Sequence, residues 1–418
     1  MPFQGQFKEG EKMNRNFLDT VYLFACGARG IEPQNDREYD FKEIYRISKQ
    51  QGIWETVFLA VIKLHDNDAD IIPRDVYETM NTKFITYCGL QYKRQSFVHR
   101  MIEKLEDNGV VCCVLKGESI AGLYHTPIAR ISSDTDILIN PQKLDLCLDI
   151  MKKMGFSIGE KHYGSHQIEC MHPVAGLVEI HIMMYGKQTE ELCFNHEVKY
   201  SEEYMRLTAE DGAEYSTLGV TDNFLFLMLH FIKHFLSFGV GIRQLEDVLI
   251  YAEKRYSQID WKKAEEAISN LGFSRFFECM ISIGKKYFYF PTEMFAQCEA
   301  DEGLTNRIFE DMQQGGMFGH DDPQREGFYN LYLRERCKKL SKKNYESYQN
   351  KQKLLRLFPS RGFMAVNYSY VNKSVLLLPV AWVHRIVRGV MPRKNIKDNE
   401  VNRKNEERLK LMSDLDMI

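Results

Sequence analysis

Apolar residues recur at three- and four-residue steps early in the chain: Phe41, Ile44, Tyr45 and Ile47, then Trp54, Val57, Phe58, Val61 and Ile62. That spacing lines one face of a helix, so residues 1–95 read as a helical region behind a polar, loose start at residues 1–14. Gln91 to Asn108 reads as another amphipathic helix, closed by Gly109, a usual residue after a helix C-terminus. The rhythm then changes. Val110 to Leu115 is a continuous apolar run of strand length, and Ile137-Leu138-Ile139 is a second one. Gly176 to Ile182 alternates, with Val178 and Ile180 on one face and Glu179 and His181 on the other. A helix near Gln142–Met154 and a hairpin from His166 to Met184, turned at His172–Gly176, complete a core that runs to about Tyr215. From Thr221 the period is helical again. The pattern predicts an α+β chain: a helical region at 1–95, a sheet-bearing core at 96–215, a helical domain at 216–330 and a basic helical tail at 331–418.

The polar positions carry the chemistry. In Ser133-Asp134-Thr135-Asp136-Ile137, the two aspartates stand two apart at the mouth of an apolar strand, so they project from one face near a sheet rim. If the strand carrying Glu179 is a neighbour, its carboxylate joins them. Converging carboxylates repel and resist ionisation unless a cation neutralises them, and Mg²⁺ takes oxygen ligands from a few carboxylates plus substrate phosphates. Asp134, Asp136 and Glu179 are therefore candidate ligands of Mg²⁺ or Mn²⁺ for two-metal phosphoryl transfer. An Asp-x-Asp pair alone is more often a turn cap. His181, two residues beyond Glu179 on its face, reads either as a hydrogen-bonding partner or proton acceptor of the site or as a structural histidine.

Upstream, Lys116-Gly117 closes the first apolar strand and opens a helix-like segment, Ile120 to Tyr124. A strand, a glycine turn and a helix present backbone N–H groups to an anion, with Lys116 adding a point charge. Such a turn is ordinary on its own. It gains meaning from the acidic pair on the next strand.

These segments together resemble the uncharacterised nucleotidyltransferase family of the polymerase-beta-like superfamily. The matching residues are Leu115-Lys116-Gly117, Tyr124, Arg130, Ser133 to Ile139 and Val178-Glu179-Ile180-His181. The likeness continues through Leu229 to His234, Ile242 to Asp247 and Leu378 to Arg385, covering most of the chain from about Tyr87. It implies a small mixed sheet with helices on one side. It also implies divalent metal bound by the first two acids and a third from a later strand, the roles that Asp134, Asp136 and Glu179 match. Lys116-Gly117 replaces the superfamily's usual Gly-Ser, and the third acid is a glutamate, one methylene longer. By the same resemblance a helical domain closes over the nucleotide, bringing His234 and Arg243 to phosphate or base; Arg130, by its place just before the acidic strand, is expected to neutralise charge in the transition state.

The bland readings of that helical segment stand beside it. His230 and His234 lie i and i+4, but Phe231 replaces the glutamate a zinc protease needs. Arg243 and Asp247, also i and i+4, read as an intrahelical ion pair. His162, Tyr163 and His166 read as packing and surface.

Composition narrows the classes. The chain has 418 residues, 44% of them hydrophobic, enough for two or three domains. No apolar run approaches the roughly 18 residues a bilayer span needs, and the start lacks a secretory pattern, so a cytoplasmic protein without a transmembrane segment is expected. Ten cysteines without a Cys-x-x-Cys pair suit reduced thiols rather than zinc or disulfides. Residues 334–418 hold 20 Lys and Arg against 8 Asp and Glu, a surplus of +12 that leaves −15 in residues 1–333. That tail fits RNA, an anionic membrane surface, or the acidic body of the same protein. The expectation is a metal-dependent transfer of a nucleoside monophosphate from an NTP to a small molecule, protein or RNA. A non-catalytic nucleotide-binding sensor or scaffold, and a toxin-like enzyme that nucleotidylates protein or RNA, remain open beside it.

Overall fold

Asn14 accepts the Asn16 N–H and starts the first helix, α1 (Arg15–Arg29), whose Gly30 C-cap takes φ 72°. A computed structural model describes residues 14–159, 166–184, 204–237, 239–317, 374–389 and 398–418, with isolated positions between 358 and 372. Asp40 caps α2 (Phe41–Gln50) through the Glu43 N–H, and α3 (Trp54–Asn67) follows. The helix expected at Gln91–Asn108 is the end of a 34-residue helix, α4 (Arg74–Asp107), about 50 Å long at 1.5 Å per residue. Its later turns bury Val98, Met101, Ile102 and Leu105, while Ile85 and Leu90 on the earlier turns are exposed. The periodicity is therefore readable only in its second half.

The chain then builds β1 (Cys112–Leu115), α5 (Gly117–Ala121), β2 (Asp134–Ile139), α6 (Leu144–Lys153), β3 (Ser157–Ile158), β4 (Gln167–His172) and β5 (Gly176–His181). A hairpin of β6 (Tyr204–Thr208) and β7 (Glu214–Leu218) completes a seven-stranded sheet in the order β3-β4-β5-β2-β1-β7-β6. β2 lies antiparallel to β1 and parallel to β5, and β1 lies parallel to β7, so the sheet is mixed. The predicted hairpin is present, with His172 opposite Gly176.

Alternation along the strands divides the core. Cys112, Val114, Ile137, Ile139, Val178 and Ile180 pack with Val98, Met101, Ile102 and Leu105 of α4 and with α6. Cys113 and Leu115 face the other way, into a larger core shared by α1–α3 and the helices that follow the sheet. Helices therefore cover both faces, not one. The second layer is α7 (Val220–Leu236), α8 (Ile242–Lys254), α9 (Trp261–Asn270), α10 (Ser274–Tyr287) and α11 (Glu302–Gly315). α7 buries residues all round, from Phe224 to Leu236, as a central helix must. The first and last helical regions thus make one core together.

Pro379 sits in the first turn of α12 (Leu378–Gly389), where proline is tolerated. The last helix, α13 (Asp398–Asp414), ends on the body: Leu411, Met412, Leu415 and Met417 enter the main core. Arg408 is buried against Asp311 at 3.1 Å, and Arg307 meets Asp414 at 2.6 Å. The end of the tail is docked, through both apolar and charged contacts. Most of residues 331–373, including much of the basic surplus, lies outside the described residues. Among the described residues no helix is long and apolar enough to cross a membrane, and the eight described cysteines are free.

Candidate active site

The register of the sheet assembles the site. Asp136 lies opposite Glu179 in the parallel β2–β5 pair and opposite Leu115 in the antiparallel β1–β2 pair. Residues facing each other across a ladder share a face, so Asp136, Glu179 and His181 all rise toward the helical layer. One carboxylate oxygen each from Asp136 and Glu179 and one nitrogen of His181 lie within 4.8 Å of one another, a group that could hold a metal ion. His181 Nε2 is 2.9 Å from Asp136 Oδ1 and 3.6 Å from Glu179 Oε2. Lys116 Nζ is 2.8 Å from the same Asp136 oxygen. Asp134 is not in that tight group. It lines the same cavity, and its carboxylate accepts the Ser133 and Ser132 hydroxyls at 3.3 and 3.5 Å.

Charges tune each other here. Burial opposes ionisation of Asp136, but the Lys116 ammonium and His181 prevail and hold its carboxyl well below the usual range. Burial also works against charge on Lys116 and His181. Asp136 and Asp134 overcome it for the lysine, and hydrogen bonds to Asp136 and Glu179 for the histidine, so both are raised.

The turn after β1 is strained and tightly packed. Lys116 takes φ 52°, a region that a residue with a Cβ rarely adopts. A Cβ on Gly117 would stand 2.7 Å from Ser132 Oγ and 3.1 Å from Arg130 Nη1, so any larger residue must displace those side chains. Arg130 is pinned by Asp247 of α8, whose oxygens accept Nε at 3.1 Å and Nη2 at 2.6 Å, while Tyr124 donates to the same carboxylate at 2.8 Å. Arg130 Nη1 is buried and has no hydrogen-bond partner. Asp247 therefore serves Arg130, and the intrahelical pair with Arg243 is replaced. Arg243 instead donates to the carbonyls of Ile131 at 2.8 Å and Gly52 at 3.3 Å, and its buried Nε is unpartnered. Burial and the nearby Arg130 depress its pKa.

The segment before β2 is held from three sides. Thr56 of α3 donates to the Ala129 carbonyl at 2.9 Å, Arg243 of α8 to Ile131, and Arg94 of α4 to Ser132. Arg94 also donates to Thr135 Oγ1 at 3.0 Å and to the Ala175 carbonyl at 2.9 Å, which joins β2 to the β4–β5 turn. Each helical region thus contributes a clamp on the acidic strand.

Lys116, Gly117, Arg130, Asp134, Asp136, Glu179, His181, His234 and Arg243 all line one cavity of about 250 Å³. His234 meets His230, with their Nε2 atoms 2.9 Å apart. Burial, followed by the charge of Lys116, pushes His230 well below its ordinary value. Sequence reasoning passed over His166, which lines the cavity with its ring centroid 5.6 Å from that of His181. Burial and Lys233 push it down to about 4. It also missed Lys233 and Gln167 in the lining. Gln167 was open to discovery, since it pairs with His181 across the predicted hairpin. His162 and Tyr163 lie outside the described residues.

A family model described as "Uncharacterised nucleotidyltransferase" matches residues 37–289, which span every element that lines this cavity. No curated protein matches the chain.

Proposed function

The chain belongs to that family of uncharacterised nucleotidyltransferases, and from this premise we propose that the cavity moves a nucleoside monophosphate from an NTP to an acceptor. The acceptor oxygen bonds to the α-phosphorus, the bond from that phosphorus to the β-phosphate bridge breaks, pyrophosphate leaves, and the acceptor's proton passes to solvent water. The observation that carries this reading is the facing of opposite charges. Paired carboxylates on β2 and β5 stand across from the buried Arg130 and the half-buried Arg243, each with a buried, unpartnered N–H.

The donor set fits Mg²⁺ or Mn²⁺, since Asp136 and Glu179 supply hard oxygens and Asp134 stands two residues away on the same face. In this assignment His181 orients Asp136 rather than ligating, because imidazole suits softer ions and its Nε2 already lies on that carboxylate. Held by these carboxylates, a divalent ion would supply the positive charge that phosphoryl transfer draws on. The protein's own groups do the rest. The Gly117 turn lets the phosphates approach backbone N–H groups. Arg130 Nη1 and Arg243 Nε gain the hydrogen bonds they lack, which converts a buried deficit into binding of the triphosphate. Lys116 follows the charge, passing from Asp136 to a phosphate oxygen. His234, paired with His230 at the helical wall, meets the base or a phosphate.

The acceptor is a small molecule, a protein or an RNA. The docking of α13 through Leu411, Met412 and Arg408 supports a structural role for the last residues of the chain. The test is transfer of label from α-phosphate-radiolabelled NTPs to small-molecule, protein and RNA fractions, with pyrophosphate measured in parallel. Labelled acceptor and matching pyrophosphate with the wild type, and neither with Asp136→Asn, is the expected outcome. Equal labelling by the variant would remove the site from the chemistry.

A further inference from the structure

On the opposite face of the sheet, where α4, α5 and the β6–β7 hairpin meet, lies a second cavity of about 260 Å³. The helix α5 separates the two cavities: Gly117 lines the first and Glu118 lines the second. The second is lined by Glu118, Glu210 and Asp211, by Tyr92 and Tyr215, and by no lysine or arginine. Acids at a surface are common, and these alone would mean little. His99 makes the difference.

His99 is 8% exposed, stacks on Tyr215 with ring planes 17° apart, and brings its Nδ1 to Asp211 Oδ2 at 2.8 Å. Its Nε2 is buried and makes no hydrogen bond. With Nδ1–H given to the carboxylate, Nε2 carries a lone pair and asks for an N–H or O–H donor. A buried acceptor without a donor is costly, and the charged groups of the cavity wall, Glu118, Glu210 and Asp211, are acids. Burial pushes the Glu118 carboxyl up, and the opposing groups, His99, Arg94 and Arg130, do not offset it. A neighbouring cavity of about 480 Å³ shares His99 and Asp211 and adds Glu103 and Asp107. Of its two arginines, Arg206 is already engaged with Glu106 at 3.2 Å.

We propose that this paired cavity binds an extended organic polycation of the polyamine type, one ammonium seated between Glu118 and Asp211 and donating to His99 Nε2. Tyr92 and Tyr215 present ring faces and edges to the methylene stem and its charge. The second cavity receives the next ammonium, against Glu103 and Asp107. A free amine supplies three donors and positive charge together, matching the lone pair and the carboxylates at once.

The experiment is isothermal titration calorimetry of the full chain with spermidine as the probe, at low and at moderate salt, on wild type, Glu118→Gln, Asp211→Asn and Glu78→Gln. Glu78 is an exposed acid elsewhere on α4, paired with Arg74, and serves as the charge control. Saturable one-site binding is expected in the wild type, weakened about tenfold or more by either cavity variant and unchanged in the control. Glu118→Gln keeps an acceptor for Gln95, which donates to Glu118 at 3.3 Å. Absence of heat at low salt would overturn the proposal. So would an equal weakening in the control, which would show diffuse attraction to an acidic surface.

Discussion

Asp247→Asn is the sharpest structural perturbation this site permits. The Asp247 carboxylate accepts three hydrogen bonds, from Arg130 Nε, Arg130 Nη2 and Tyr124, and both members of the ion pair keep only 6% of their side chains exposed. The asparagine keeps the shape and one acceptor, loses the charge, and turns an NH₂ or a neutral oxygen toward a guanidinium. Arg130 cannot escape by deprotonation. Burial acts to lower its pKa, but Asp247 dominates, and arginine stays charged at any working pH. Removing one partner from such a pair costs about 3–5 kcal/mol, since the other charge stays buried and uncompensated. Urea denaturation followed by tryptophan fluorescence measures the loss. Arg130→Met/Asp247→Leu, which removes both charges, should recover at least half of it. In the single variant, added triphosphate should raise Tm more than in the wild type, because the anion then compensates Arg130. A loss below about 1 kcal/mol, or a double variant no more stable than the single one, would refute the reasoning.

Gly117→Ala places a methyl 2.7 Å from Ser132 Oγ and should cost about 1–3 kcal/mol as overpacking, with a larger proportional loss of NTP affinity than of stability; calorimetry beside thermal unfolding separates the two. Lys116→Met frees the Asp136 oxygen that the ammonium now holds at 2.8 Å, so Mn²⁺ binding without nucleotide should tighten while triphosphate binding weakens; unchanged Mn²⁺ affinity would count against the shared oxygen. Glu55, 4% exposed in the first turn of α3, is pushed up to about 7 by burial, against its own N–H and Arg243. The folded state then retains a proton that the unfolded chain releases above about pH 4.3, so stability falls as pH rises from there to about 7 and stays lower above. Glu55→Gln should therefore match the wild type near pH 4 and exceed it by about 3 kcal/mol at pH 8, and parallel pH–stability curves would dismiss the shift.

The local part of this site was legible in the sequence. A period of two placed Asp134 with Asp136 and Glu179 with His181, because side-chain direction on a strand follows from position alone, and a glycine after an apolar strand marked the turn that lines the cavity. Which strands would be neighbours was a condition of that reading, and the β2–β5 register met it. The clamps were not legible. Arg130 and Asp247 stand 117 residues apart, and Arg94, Thr56 and Arg243 converge on the segment before β2 from three helices. Spacing within a window favoured the near pair, Arg243 with Asp247, over the distant partner that the fold selected. The β6–β7 hairpin went unseen for another reason. Its strands have five residues each, and β6 is half exposed along its length, so neither offers an apolar run. In the tail, charge outweighed the few apolar residues near the end, Leu411, Met412, Leu415 and Met417, which anchor it in the core.

The most direct test of the account is the thermal midpoint of the purified protein with ATP, GTP, CTP and UTP, each with and without Mg²⁺, on wild type and Asp136→Asn. A ligand that binds only the folded state raises Tm by mass action. The account predicts a Mg²⁺-dependent rise with at least one triphosphate in the wild type and its loss in the variant. The same rise in both proteins, or no rise with any nucleotide, would contradict it.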